Sequence, residues 1–509
     1  MKRMNALVLS AAMTLTLLSG CGQKSATPAP GGSDGPSAGG NSAITVILKT
    51  VGNNLDPSVA NAITTTTIAN HIYDNLLECD ADFNILPGVA SSWEQPDPLT
   101  YVLTIGEGFV FHNGEPLEME DVEYSVNRLA DIAQTADVYA QIDSVSIDGN
   151  KLIVKIKEAN SGFVRYFLSM PVLDKSYCES VGAAYANAPI GTGPYTLSSY
   201  IPGESAVLTK WADYPFENKP SIDTITFKGI EEPTAAYMAV ESGNANFSDV
   251  DATDYSRAKA NDKITFYEGD STYTAFVSMN TQAAPFDNVN VRRAMAYAYN
   301  KEGYLNVKGE NYATIDSMFP AMTEYYAKSP DTITYDPAKA KELLAAEGYD
   351  ESNPLTFEIS GYSNDDPVMQ AYQADLAAIG VKADLVTYEF GVFLDNMAGQ
   401  NFQMLTGGWG DATGNPLSAA ECYYSKSFGV LNISFYENAL ADELYTAAKA
   451  ATDDAVVVEK CSQLQDLAWQ DVPMFPTFTR TEAFVYSKDL TGPVIYPSGI
   501  ISFRAAELA

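Results

Sequence analysis

The stretch Pro98–Leu129, PLTYVLTIGEGFVFHNGEPLEMEDVEYSVNRL, decides the fold. Tyr101 to Ile105 alternates in polarity and predicts a strand. His112 follows in a glycine-flanked turn, and Asp121 to Leu129 predicts a helix. A strand handing over to a helix across one short turn points to a mixed α/β body rather than an all-β or all-helical one.

The same alternation continues outward on both sides. Ile44–Leu48 is β-branched and apolar, hence a strand. Thr64 to Leu77 carries Ile68, Ile72 and Leu76 at helical spacing. Val145–Ile156 is interrupted by Asp148-Gly149-Asn150, a hairpin turn. Ala206–Thr209 and Ile222–Phe227 predict strands, and Thr234–Ser242 a helix with a glycine stop. In the second half, Val291–Tyr299, Pro337–Ala346, Val368–Ile379 and Val456–Gln470 predict helices. Leu355–Ser360 and Val381–Tyr388 predict strands. Phe402–Leu405 predicts a short strand feeding a glycine-rich turn, Gly407-Gly408-Trp409-Gly410. Met474–Arg480 carries two prolines and so reads as an edge or crossover strand. No short internal repeat is present.

Composition narrows the function classes. A chain of 509 residues that is 46% hydrophobic has material for two or three domains with substantial cores. Thirty-one tyrosines suit wet binding clefts, where a ring can be buried while its hydroxyl stays hydrogen-bonded. Most of them serve as ordinary core and surface residues. The formal charge of −35 argues against nucleic-acid binding, which needs a basic footprint. It also argues against a broad electrostatic grip on anionic lipid and favours a soluble monomer.

The N-terminus addresses location. Lys2 and Arg3 precede an apolar run, Ala6–Leu18, and then Leu18-Ser19-Gly20-Cys21. The run is shorter than the ~20 residues of a membrane-spanning helix and reads as a secretory signal. Cys21 at the cleavage point resembles a bacterial lipobox, in which the thiol is lipidated. Residues 1–21 are therefore expected to be a lipoprotein signal peptide. Residues 22–42, rich in Gly, Ser, Pro and Ala, are expected to be a flexible tether. The remaining cysteines, Cys79, Cys178, Cys422 and Cys461, fit either disulfides or buried thiols, and their wide spacing offers no metal site.

Several segments together resemble the family 5 extracellular solute-binding proteins, the peptide- and nickel-binding receptors of ABC importers. Pro98–Leu129 resembles their signature block. Asn54-Leu55-Asp56-Pro57, Ile72–Leu77, Leu86–Trp93, Gly191-Thr192-Gly193-Pro194-Tyr195, Pro285–Ala294 and Tyr335–Leu344 resemble six more. Each block alone is weak, but seven in order cover essentially the whole mature chain. The resemblance implies a two-lobed, periplasmic-binding-protein-like α/β fold with an extra subdomain in lobe one and two hinge crossover strands. Lobe one is then 43–80, 190–275 and 481–509, its subdomain 81–189, and lobe two 276–480. The crossovers are expected near Ala275–Asn280 and Phe475–Arg480. The implied partners are a small ligand, most simply a peptide, and a membrane ABC permease, with no cofactor. An oligosaccharide receptor on the same scaffold is the alternative. The implied place is the extracellular face of a bacterial membrane, or the periplasm, held by the lipid anchor.

Gly408-Trp409-Gly410-Asp411 resembles the family segment whose aspartate receives a peptide's α-ammonium. Asp411 is then a charge-assisted acceptor, unless it is an Asx-turn residue that only shapes its loop. Trp409 is either a stacking platform or lobe core. Asn61 and Ala62 align with a ligand-facing loop of lobe one, and Phe276, Tyr362 and Tyr388 are candidate aromatic walls, with Phe390 beside them. Dipeptide receptors carry an arginine after the strand at Leu355–Ser360; here Gly361-Tyr362 stands there, which disfavours a strict dipeptide selector. Only two histidines, His71 and His112, occur, both far in sequence from Trp409, which disfavours direct nickel ligation. Outside the Gly/Ser/Pro-rich tether the sequence contains no HExxH, GxSxG or CxxC pattern, so no catalytic residue is assigned and an enzyme is not expected.

Overall fold

The computed structural model describes residues 42–59, 62–131, 139–323, 325–362 and 367–509. The signal segment with Cys21, and the tether up to residue 41, lie outside the described residues. Three sheets organise the remainder.

A seven-stranded sheet runs in the order Ile264–Gly269, Glu482–Ser487, Phe247–Asp249, Ala43–Leu48, Thr224–Gly229, Ser205–Lys210, Tyr195–Ile201. Ala43–Leu48 is parallel to Thr224–Gly229, in the register Ala43 opposite Thr224. Its alternate apolar side chains Ile44, Val46 and Leu48 pack into one core with Phe227, Phe247, Phe484 and Phe503. A four-stranded antiparallel sheet, Ala90–Asp97, Thr100–Ile105, Lys151–Ile156 and Ile142–Asp148, has its own core beneath the helix Met119–Asp131. A five-stranded sheet orders Lys382–Thr387, Thr356–Gly361, Met404–Trp409, Thr274–Met279, Met474–Pro476. Helices such as Val289–Tyr297, Pro337–Ala346 and Pro367–Ala378 pack on this second large sheet. Two lobes therefore each have a mixed sheet and a separate core.

The chain passes between the lobes twice. Strand Ile264–Gly269 belongs to the first sheet and Thr274–Met279 to the second, so Asp270–Tyr273 makes one crossing. Met474–Pro476 and Glu482–Ser487 mark the return. Thr479 Oγ1 donates to Tyr273 carbonyl at 2.8 Å, tying the two crossings together, and Thr272 N–H donates to Pro497 carbonyl at 2.9 Å in the C-terminal segment.

Two local expectations change. The first helix is Ile63–Ile72 and does not reach Leu77, although Leu76 keeps the helical period. Long-range pairing wins: Leu77–Cys79 pairs with Ile85–Pro87, and Asp74 is drawn to Arg504 at 2.6 Å. The second change is at Gly407-Gly408-Trp409, which continues the strand to Trp409 instead of turning. Its antiparallel partner, Thr274–Met279, supplies ladder hydrogen bonds that glycine propensity alone does not predict.

The quoted blocks hold the frame. Gly193 lies so close to the end of the first helix that a Cβ there would sit 2.7 Å from His71 carbonyl oxygen. His112 Nε2 meets Gly193 carbonyl oxygen at 2.9 Å, and its Nδ1 accepts from Gly191 N–H at 3.3 Å, a structural use. Asp336 caps Pro337–Ala346 by accepting from Lys339 N–H at 2.9 Å. Cys79, Cys178, Cys422 and Cys461 are free thiols. Burial raises each of them; Cys79 and Cys461 reach about 12 and Cys178 about 11. Among the described residues no helix is long and apolar enough to cross a membrane.

Candidate functional site: the cleft and its closing loop

The loop Gly410–Asn415 leaves strand Met404–Trp409 at its carboxyl end, where ligands gather in α/β sheets. The glycines before it serve close packing. Gly408 pairs with Ala275, and the Tyr273 ring lies against it: a Cβ on Gly408 would be 2.5 Å from Tyr273 Cζ. Gly407 in the same way faces the Phe276 ring at 3.1 Å. The Arg480 guanidinium covers the Tyr273 ring at 4.9 Å, fixing it from the other side.

Asp411 organises the loop. Its Oδ1 accepts from Thr413 N–H and Thr413 Oγ1, both at 2.7 Å, and from Asn415 N–H at 3.1 Å. Its Oδ2 accepts from Ser418 Oγ at 2.6 Å. A carboxylate has about four acceptor positions, so these four bonds nearly exhaust it. Asn415 then caps helix Pro416–Glu421 by accepting from Leu417 N–H at 3.1 Å.

This loop meets lobe one directly. Arg165 Nη1 donates to Thr413 carbonyl and to Phe83 carbonyl, each at 3.1 Å. Gly414, at φ 65°, lies so near Phe83 that a Cβ would be 2.8 Å from its ring. Ser161 N–H donates to Lys449 carbonyl at 2.7 Å and its Oγ to Ala448 carbonyl at 3.1 Å. The lobes are closed.

A cavity of about 250 Å³, its lining mostly apolar, lies where the loop meets lobe one. Asn70, Glu78, Tyr496 and Ser498 line it from lobe one, and Ala412 from the loop. Glu78 accepts from Asn75 N–H at 3.2 Å. Burial raises the Glu78 carboxyl above its ordinary range, against the pull of nearby Arg504. Ser498 is only 6% exposed, and its Oγ has no hydrogen-bond partner. A larger cavity, about 420 Å³, opens on lobe two beside the hinge. Tyr273, Phe276 and Tyr362 wall it, and among the described residues Lys308 is the one charged side chain lining it. Next to it is an apolar cavity of about 220 Å³, walled by Phe276, Tyr362, Phe390, Phe393 and Trp409. The Trp409 Nε1 is shielded there without an acceptor.

The structure thus brings Phe276, Tyr362, Gly408 and Trp409 together around the lobe-two cavities. Asp411 and Gly410 stand in the closing loop, with Asp411 turned to its own backbone. Tyr388 is half-buried, donates its N–H to Gly361 carbonyl at 2.9 Å, and lines none of these three cavities. Ala62 is exposed at the start of helix Ile63–Ile72, and Asn61 lies outside the described residues. Sequence reasoning missed Glu78, Arg165, Lys308 and Ser498. Only Glu78 left a trace, as an acid directly after the apolar pair Leu76-Leu77. Among the described residues no cluster of His, Cys, Asp and Glu could hold a metal ion.

The model of the bacterial extracellular solute-binding proteins, family 5 Middle, matches residues 84–429. The chain belongs to that family, whose members bind solutes and are not enzymes. The glutathione-binding protein GsiB of Escherichia coli O1:K1 / APEC is 27% identical over 486 residues, 91% of this chain and 94% of that protein. The structure of HbpA2 from Haemophilus parasuis superposes with a TM-score of 0.82 at 23% identity, over 92% of this chain and 100% of that one. The dipeptide-binding protein from Pseudoalteromonas sp. SM9913, solved with Met-Leu, gives 0.79 at 21% identity, over 92% and 100%. These likenesses establish the shared two-lobed fold.

Proposed function

Starting from membership in that family, we propose that this chain captures a peptide between its lobes and delivers it, in the closed form, to an ABC permease. The observation that carries the reading is the loop Gly410–Asn415. It covers a mostly apolar cavity on lobe one whose lining includes the Glu78 carboxylate, Asn70 and Tyr496. A peptide supplies an ammonium, amide donors and carbonyl acceptors for such a cavity. No arginine follows strand Thr356–Gly361, so the far end of the ligand meets Lys308 and aromatic walls in the hinge-side cavity. Such a site takes longer or varied peptides more readily than dipeptides alone. Closure requires only that the ligand bind the closed state more tightly than the open one.

Anchoring through a lipid on Cys21, with residues 22–42 as tether, completes the reading; Cys21→Ser should then release the protein from membranes. A melting-temperature screen against free peptides, N-acetylated peptides, oligosaccharides and nickel tests the function, since a ligand of the folded state raises the transition by mass action. Stabilisation by free peptides supports capture. Stabilisation by oligosaccharides alone keeps the fold and replaces the ligand.

A further inference from the structure

We infer that the apolar cavity between helix Phe390–Ala398 and strand Met404–Trp409 is a specificity pocket that takes one bulky aliphatic or aromatic side chain of the ligand. The inference rests on the peptide reading above and names the side-chain class within it.

The cavity is built for a dry group. Its base belongs to the buried core of lobe two, where Phe393, Ile433, Cys422 and Met474 pack in one cluster. Among the described residues no charged side chain lines it. A charged group entering it would lose its water and gain no partner. The aromatic wall is set before any ligand arrives. The Tyr362 ring packs against Phe390 at 5.3 Å and 70°, and against Phe393 at 5.3 Å and 57°. Met397 is unbranched and adapts to the shape of what enters.

Size and exposure say what fills it. The volume of about 220 Å³ is on the scale of one side chain, since a cavity of ~150 Å³ lined by Leu, Ile and Phe already holds benzene. A docked protein would instead need a face of ~800 Å². The mouth is left unfinished by the protein itself: Phe390 is 53% exposed, Tyr362 50% and Val430 57%. Single exposed residues of this kind are ordinary, but three around one cavity mark a site that an apolar group covers. The position identifies that group. The cavity shares Phe276, Tyr362 and Gly407 with the larger cavity beside the hinge. Trp409, on its wall, leads into the loop that meets lobe one through Arg165. A peptide held between the lobes therefore passes this mouth and can place one side chain in it. A pocket of this kind separates ligands by the apolar surface they fill, by about tenfold or more.

The test titrates the full chain, read by melting temperature, with two equimolar pools of tripeptides with free N-termini. One pool is built from Leu, Ile, Met and Phe, the other from Ser, Thr, Asn and Gln. The parent should reach a given shift with at least about tenfold less of the apolar pool. Val430→Glu sets a charge at the mouth, and Phe390→Ala removes a wall ring; both positions are exposed, so each variant should fold and melt close to the parent. Each should cut the preference to below about threefold and leave the response to the polar pool within about twofold. A preference retained by either folded variant overturns the pocket while peptide capture stands. An equal or stronger response of the parent to the polar pool does the same. No response of the parent to either pool overturns the peptide reading, and the pocket falls with it.

Discussion

Asp411 offers the sharpest test, because two roles for it predict different orders among its variants. If its charge holds the ligand, Asn and Ala are equally damaging. If it shapes the closing loop, Asn preserves most of the function, because its Oδ1 still accepts from Thr413 and Asn415 and its amide can donate to Ser418 Oγ. Ala removes the acceptor from four hydrogen bonds, at 2.6 to 3.1 Å. At about 1 kcal/mol net each, the loop loses about 3–4 kcal/mol of local stability. Binding recovers part of that loss, since ligand can reorder the loop at the expense of affinity. An affinity loss of about 2–3 kcal/mol corresponds to roughly 30- to 150-fold for Asp411→Ala. Asp411→Asn should stay within about threefold. Isothermal titration of both variants with a peptide that the parent binds, alongside hydrogen exchange of residues 410–418, measures affinity and loop order together. Asn as damaging as Ala, with the loop still protected, would refute the shaping role and return the ligand charge to Asp411.

Other outcomes follow from the same contacts. His71 is neutral and fully satisfied, with Nδ1 bonded to Thr67 carbonyl at 2.8 Å and Nε2 accepting from Phe503 N–H at 2.9 Å. Burial pushes it down to about 3, so its unfolded form binds the extra proton. Its contribution is complete above about pH 6.5 and is lost as pH falls toward 3, on the order of 2 kcal/mol by pH 5. Chemical unfolding of the parent and of His71→Gln at pH 7 and pH 5 checks this, and identical pH slopes would sink it. Arg165→Ala should weaken ligand binding by about fivefold to tenfold with little change in unfolding, because it removes a bond across the closed lobes; unchanged affinity would show that this contact does not support closure. Gly408→Ala should cost about 1–3 kcal/mol by crowding the Tyr273 ring, and a Tyr273→Ala background should relieve that cost. Additive melting shifts would mean the two do not collide.

The frame was legible where function and local sequence coincide. Glycines at 191 and 193 are needed because backbone passes backbone there, and Asp336-Pro337 starts a helix by capping chemistry that any context preserves. Arg292 in the block Pro285–Ala294 donates to Asp471 carbonyl at 2.8 Å and Phe286 carbonyl at 2.9 Å, a structural tie. The blocks that carried the resemblance are therefore largely joints of the scaffold. The cleft was less legible. Glu78 and Ser498 come from opposite ends of the chain and meet only after the first sheet has formed. Asp411-Ala412-Thr413-Gly414-Asn415 carries the turn pattern the structure displays. Helix Ile63–Ile72 shows the limit of periodicity: Leu76 continued the pattern, but strand pairing at Leu77–Cys79 decided the backbone.

The two walls of the cleft differ in how complete they are. On lobe two, the closing loop has satisfied its own carboxylate, capped its own helix and set its glycines against the hinge aromatics. It arrives at the cleft as a finished surface and has little reorganisation left to pay on closure. On lobe one, Glu78 lines the cavity, accepts from Asn75 N–H at 3.2 Å and lies near Arg504. Direct contacts across the lobes include those of Arg165 and Ser161, the Lys449–Glu158 pair at 3.7 Å and the bond from Ser256 Oγ to Glu310, each worth about 1 kcal/mol or less. A ligand that binds the closed form more tightly than the open one shifts the lobes toward closure by that difference alone.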